Sequence, residues 1–180
     1  MPYIAGLVIG FEGVIDSWDV CNEVSAHNND VWGDGWQLEM FEYMRELCPD
    51  AKLWLNEYAI NDQAYWEGSV LPLAERLSTL GLADGVGIQC QSDIRDRTLV
   101  GIDAFMKELI KPIPTPRLDS AISAIKGMGL SVHLSEVNCV HGKGQDNAAA
   151  GIIERYATAA SRNSVERLTY WELPQAQLSE

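Results

Sequence analysis

Five carboxylates stand where apolar, β-forming stretches of the sequence run out: Glu23, Glu57, Asp93, Glu136 and Glu172. A carboxylate placed there loses hydration, a cost tolerated where hydrogen bonds or function compensate. Two such groups roughly 5 to 5.5 Å apart can hydrolyse a glycosidic bond with retention, one protonating the leaving oxygen while the other attacks the anomeric carbon. Neighbouring strand ends across a narrow parallel barrel supply that separation. Spacing alone leaves a second reading open, in which the same acids are helix N-caps and loop-solvating groups.

The elements that must position these acids alternate along the chain, short β-rich segments with helical patterns, which is the signature of βα units around a parallel sheet. Five strands are expected, at Ser17 to Val24, Lys52 to Tyr58, Gly85 to Gln91, Ser131 to Cys139 and Arg167 to Leu173. Amphipathic runs separate them, at Gly35 to Cys48, Asp62 to Leu80, Arg117 to Met128 and Asn147 to Arg162, and a leading helix from Tyr3 to Phe11 precedes them. Thr115-Pro116 and Gly127/Gly129 punctuate the ends of the third run. A closed (β/α)8 barrel needs eight strands. Five therefore imply an open α/β sheet or part of a barrel, and no internal repeat or low-complexity stretch offers a third explanation.

With 180 residues and 47% hydrophobic content, one domain over residues 1–180 is expected. The formal charge of −13, with no Lys/Arg cluster, makes nucleic acid and anionic membrane poor partners. No apolar run approaches the roughly 20 residues that span a bilayer, and the residues after Met1 lack the pattern of a secretory signal. Cys21, Cys48, Cys90 and Cys139 show no C-x-x-C spacing, so buried free thiols are expected rather than a zinc cage. His27, His133 and His141 are scattered, and the glycines around Lys143 lack the P-loop pattern, so neither a metal nor a phosphate cofactor is expected.

Local motifs favour the hydrolytic reading. Trp18-Asp19-Val20-Cys21-Asn22-Glu23 resembles the fourth-strand W-D-V-x-N-E run of glycoside hydrolase family 10, the endo-xylanase family. Asp50 to Tyr58 (DAKLWLNEY) is similar to the fifth strand, which usually ends N-D-Y, with Glu57 in place of the aspartate. Ala83 to Gln91 (ADGVGIQCQ) is similar to the sixth strand, D-G-I-G-x-Q-S-H, and Val132 to Asn138 (VHLSEVN) to the seventh, V-x-x-T-E-L-D. Leu168-Thr169-Tyr170-Trp171 is similar to the T-x-W of the eighth.

The resemblance implies a partial barrel of strands four to eight, with strands one to three and the last helix outside this chain. It makes Glu23 the acid/base, Glu136 the nucleophile, and Asn22, Asn56, Tyr58, Gln89, Gln91, Asn138 and Trp171 substrate-binding residues. It also implies a β-1,4-xylan-type polysaccharide substrate, no cofactor, and secretion. An isolated five-strand piece would expose two sheet edges, so self-association or closure by a further half-barrel is expected.

Two positions depart from the family pattern. Gln91 stands where the family has histidine and Asn138 where it has aspartate, so neutral amides replace the partners that tune the nucleophile. Gln91 is expected to donate to Glu136, and Asn138 to satisfy the Gln91 amide. Trp32 and Trp36 are candidates for stacking on sugar or for helix packing. Trp18, Trp54 and Trp66 are expected in the core, His133 inside the fold, and His27 and His141 in loops. The rival to hydrolysis is a non-catalytic glycan-binding relic of the same fold; another barrel hydrolase, cellulase-like or galactanase-like, is a third reading.

Overall fold

The computed structural model describes residues 2–11, 13–23, 35–95 and 109–171. Helix α1 (Pro2–Gly10) leads into β1 (Ser17–Asn22), followed by α2 (Trp36–Leu47) and β2 (Lys52–Glu57). Helix α3 runs through three consecutive segments, Gln63–Tyr65, Trp66–Val70 and Leu71–Thr79. Then come β3 (Gly85–Gln89), α4 (Thr115–Gly127), β4 (Ser131–Val137), α5 (Asp146–Arg162) and β5 (Arg167–Tyr170). The strands form one sheet in the order β1-β2-β3-β4-β5, and every neighbouring pair is parallel. Consecutive parallel pairing through helical crossovers is barrel topology rather than the reversing order of a doubly wound sheet.

The hydrophobic core lies between the outer face of the sheet and the helices. Cys21, Leu53, Leu55, Val86, Ile88, Val132 and Leu134 cluster there with Phe41 and Met44 of α2, Val70, Ala74 and Leu77 of α3, Ile122 and Ile125 of α4, and Ile152 and Tyr156 of α5. Each strand gives alternate residues to this layer and the rest to the inner face. On that inner face Trp54 lies edge-on to His133, ring centroids 5.8 Å apart at 72°. His133 Nε2 lies 2.8 Å from Thr169 Oγ1, and Arg167 Nη1 donates to Ser17 Oγ at 3.1 Å, joining the last strand to the first.

Expected helices and strands all form, most ends lying within two residues of their expected places and β5 ending at Tyr170, three before Leu173. The strands stop earlier than their apolar patterns suggest. Tyr58, Gln91 and Cys139 follow their strands instead of closing them, and Ala59, next after Tyr58, stands at φ 61°. The expectations for Val24, Glu172, Leu173, His27 and Trp32 fall outside the described residues. Helix α3 starts where Asp62 accepts a hydrogen bond from Tyr65 N at 3.0 Å. It contains a π turn over Trp66–Val70, with Leu71 N bonded to Trp66 O. Pro72 accounts for that turn, because it lacks an N–H and crowds the carbonyl four residues back. Trp54 and Trp66 are buried as expected, and Trp18 and Trp36 pack against the core.

His133 makes the fold sensitive to acid. It is 6% exposed, and burial, reinforced by Arg167 and opposed by Glu166, pushes its pKa down to about 4. The native state therefore binds this proton more weakly than the unfolded chain does, so stability falls as pH drops from the ordinary histidine range towards about 4. The expected loss between pH 7 and pH 5 is about 2 kcal/mol. Urea midpoints measured across that interval should fall for the wild type and stay nearly level in His133→Gln. Equal slopes in the two proteins would show that another group controls the transition.

Candidate active site

Both candidate glutamates escape the simple alternation of their strands, and an extra residue in each strand accounts for it. In β1, Asp19 pairs with Trp54 and Cys21 with Leu55, leaving Val20 without a partner on β2. In β4, Leu134 pairs with Leu168 and Val137 with Tyr170, so Ser135 and Glu136 together oppose Thr169. Such bulges re-aim side chains near a strand end. Glu23 at φ 56° and Glu136 at φ 53° take up the remaining rotation in left-handed backbone. That conformation costs on the order of 1–3 kcal/mol for a residue with a Cβ and persists where its surroundings over-determine it.

The surroundings here are a set of amides. Asn56, 3% exposed, donates from one Nδ2 to Asn22 Oδ1 at 2.7 Å and to Glu136 Oε1 at 2.9 Å. Its Oδ1 accepts from Ser135 Oγ at 2.5 Å. Gln89, 5% exposed, donates to Glu23 Oε1 at 3.0 Å and to Asn22 Oδ1 at 3.3 Å. Gln91 donates to the second oxygen of Glu136 at 2.5 Å. Asn22, Glu23 and Glu136 are thus joined through neutral amide donors.

These contacts separate the residues assigned to substrate at the outset. Asn22 and Glu23 are exposed. Asn56 and Gln89 lie beneath them, with their donors turned to other side chains. Tyr58 is half-buried, its ring 5.7 Å from that of Tyr65. Burial and the charges of Glu57, Glu23 and Asp62 push its pKa up, which keeps the hydroxyl protonated. Trp171 is 49% exposed, and its backbone N–H donates to Val137 O at 3.1 Å, holding it beside the end of β4.

Asn138 does not meet Gln91 as expected. Its Oδ1 accepts from Ser92 N at 3.3 Å, while Ser92 Oγ lies 2.8 Å from Tyr156 Oη. The same tyrosine oxygen accepts from Ile113 N at 2.8 Å. Asn138 therefore braces the turn that carries Gln91 against α5. Parallel pairing continues beyond it, from Val140 N to Ser92 O at 2.7 Å and from Ile94 N to Val140 O at 2.9 Å.

Two of the five opening carboxylates belong elsewhere. Glu57 is fully buried, alternates with Leu53 and Leu55 on the outer face, and accepts from Tyr65 Oη at 3.4 Å. Asp93 forms an ion pair with Arg95; burial pushes its pKa up, but the hydrogen bonds and charge of Arg95 outweigh it. Neither enters the amide set. Ser135 and Asp19 were not singled out from sequence, although the alternation of polar His133 and Ser135 in an apolar strand marks an inward row.

The electrostatics distinguish Glu136. Burial pushes its pKa up, the Gln91 and Asn56 hydrogen bonds pull it back, and the charges of Glu23 and Asp19 raise it again. Burial likewise raises Asp19, opposed by Arg167. Cys21, Cys90 and Cys139 are buried free thiols whose pKa values burial raises, so none is poised as a thiolate. Among the described residues, no group of three or more His, Cys, Asp or Glu side chains is arranged to hold a metal ion.

Comparison with known proteins gives this arrangement a context. The chain is 29% identical over 147 residues to endo-1,4-beta-xylanase A of Caldicellulosiruptor saccharolyticus, covering 76% of this chain and 38% of that protein. It is 30% identical over 129 residues to endo-1,4-beta-xylanase A of Thermotoga maritima, covering 59% of this chain and 12% of that one. The chain thus spans well under half the length of these relatives. Crystal structures of xylanase 10B share the fold. The Thermotoga petrophila enzyme in complex with xylobiose superposes with a TM-score of 0.75 at 19% identity, over 96% of this chain and 52% of that one. The native Thermotoga maritima enzyme gives 0.76 at 19%, over 96% and 53%. The five strands are therefore a partial (β/α)8 barrel, corresponding to strands four to eight. The model of glycosyl hydrolase family 10 matches residues 1–177, and the chain belongs to that family.

Proposed function

We propose that the chain carries the acid/base and nucleophile of a retaining, endo-acting hydrolase of β-1,4-xylan. The observation that carries this reading is the amide set, in which Asn22 receives donors from both Asn56 and Gln89, while the same two side chains donate to Glu136 and Glu23. Glu136 attacks the anomeric carbon as Glu23 protonates the departing glycosidic oxygen. Water, deprotonated by Glu23, then displaces Glu136 from the sugar and restores both groups. Family membership and the xylanase names of the relatives support xylan as the substrate class.

Asn22 holds the sugar 2-hydroxyl, and Trp171 forms a floor against which the ring stacks. Tyr58 and the Gln91 amide complete the polar wall, which the buried Asn56 and Gln89 amides support from beneath. Residues 1–180 act as one partial barrel domain in this reading. The outer strands β1 and β5 are closed by self-association or by a further half-barrel, which supplies the wall opposite the glutamates.

A 2-deoxy-2-fluoro-xylobioside with a good leaving group tests the proposal, because the fluorine slows both formation and hydrolysis of the glycosyl-enzyme while the leaving group speeds only its formation. Intact mass should rise by one fluoroxylobiosyl unit, and peptide mapping should place it on Glu136. A chain that binds xylo-oligosaccharide without any mass shift would instead be a glycan-binding relic, the reading favoured by the amides at Gln91 and Asn138. Trapping only by the corresponding cellobioside or galactobioside would reassign the substrate.

A further inference from the structure

Ser135 is a buried hydroxyl immediately before the proposed nucleophile, and its role follows from the donor and acceptor capacity of its neighbours. A carboxylate only accepts hydrogen bonds, so Asn56 must turn its NH2 to Glu136. Its carbonyl oxygen then faces Ser135, whose hydroxyl must donate. With the Asn56 NH2 also directed at Asn22, Asn22 must present its oxygen, which receives Gln89 as a second donor. The Asn22 NH2 is thereby left on the exposed side of the site. The Glu136 carboxylate thus sets the sense of Asn56 and, through it, of Asn22, and the Ser135 hydroxyl supplies the donor that the buried Asn56 oxygen then needs.

We propose that Ser135 is a positioning residue that orients the Asn56 amide, and through it both the Glu136 carboxylate and the donor that Asn22 presents to substrate. This rests on the hydrolase reading for its catalytic consequence, though not for its structural one. The β4 bulge places Ser135 and Glu136 on the same inward side, which lets a single Asn56 amide touch both. Gly87 makes the room: a Cβ there would lie 2.3 Å from Asn56 Oδ1 and 3.3 Å from Ser135 Oγ. Without the hydroxyl, the Asn56 oxygen becomes a buried acceptor with no protein donor. Water entering the space can donate or accept, so the amide loses its preferred sense.

The test compares Ser135→Ala with Ser135→Thr, which keeps the hydroxyl, in the 180-residue chain. On an aryl xylobioside, Ser135→Ala should lower kcat by about tenfold with little change in KM. Its acid limb should move to higher pH, because Asn56 donation lowers the Glu136 pKa, and Ser135→Thr should restore both. Wild-type kcat and pH profile in Ser135→Ala, or equal impairment in Ser135→Thr, would overturn the proposal. Titration of the Glu136 carboxyl by 13C NMR reads the same orientation without turnover and should show a higher pKa in Ser135→Ala than in the wild type or Ser135→Thr. If the wild type neither hydrolyses nor traps substrate, the hydrolase reading fails while this titration still decides the role of Ser135. If Ser135→Ala does not fold, Ser135→Cys fills the site with a slightly larger group and a weaker donor, and an unchanged Glu136 titration there overturns the proposal.

Discussion

Glu136→Ala should lower kcat on an activated aryl β-xylobioside by roughly four orders of magnitude or more, since no other group can form the glycosyl-enzyme. Azide should restore part of the rate, because a small anion fits the space vacated by the carboxylate and attacks the anomeric carbon directly. A single displacement inverts the centre, so the product is the α-glycosyl azide. Glu23→Ala should behave differently. A good leaving group departs without protonation, so the glycosyl-enzyme still forms, and its breakdown becomes slow for want of a base. Azide needs no base and should displace Glu136 in a second inversion, giving the β-glycosyl azide. Opposite anomers from the two variants would assign the roles independently of any rate. The same anomer from both, or wild-type turnover by Glu136→Ala, would sink the assignment of both glutamates.

Much of this site was legible in sequence because its parts sit at strand ends, where apolar pattern and polar residue meet. Glu23 and Glu136 stand out for that reason, the family resemblance adds Gln89 and Gln91, and Gln91 reaches Glu136 as expected. What sequence could not show was register. A one-residue bulge leaves no mark on hydrophobic periodicity over so short a strand, yet two bulges turn Glu136 and Asn22 inward. The family resemblance makes Asn56 and Gln89 substrate-binding residues. In the fold both are buried, and their amides donate to Asn22, which is exposed. Glu57 looked equivalent to the others at its strand end, but strict alternation in β2 sends it outward with Leu53 and Leu55. Asn138 failed as a partner for Gln91 because the backbone N–H of Ser92 claims its oxygen.

The two glycines of β3 separate stability from function in a way that mutation can read. A Cβ on Gly85 would lie 2.1 and 2.5 Å from Cζ3 and Cε3 of Trp54 and 2.8 Å from the backbone oxygen of Ser131. Trp54 is fully buried against His133, and the Ser131 oxygen belongs to the adjoining strand, so neither yields cheaply. Gly85→Ala is therefore expected to destabilise the fold by about 3 kcal/mol, measured by urea unfolding. At Gly87 the added Cβ meets side chains alone, Asn56 first. Gly87→Ala should cost less stability but displace the Asn56 amide, lowering kcat by at least about tenfold in line with the loss of hydrogen bonds to Glu136 and Asn22. Trimming the opposing ring identifies the clash directly. Trp54→Leu opens the space that the new methyl needs, so the double variant Gly85→Ala/Trp54→Leu should be more stable than the sum of the single changes predicts. Strict additivity would mean that the Gly85 methyl acts through the backbone of β4 instead of the indole.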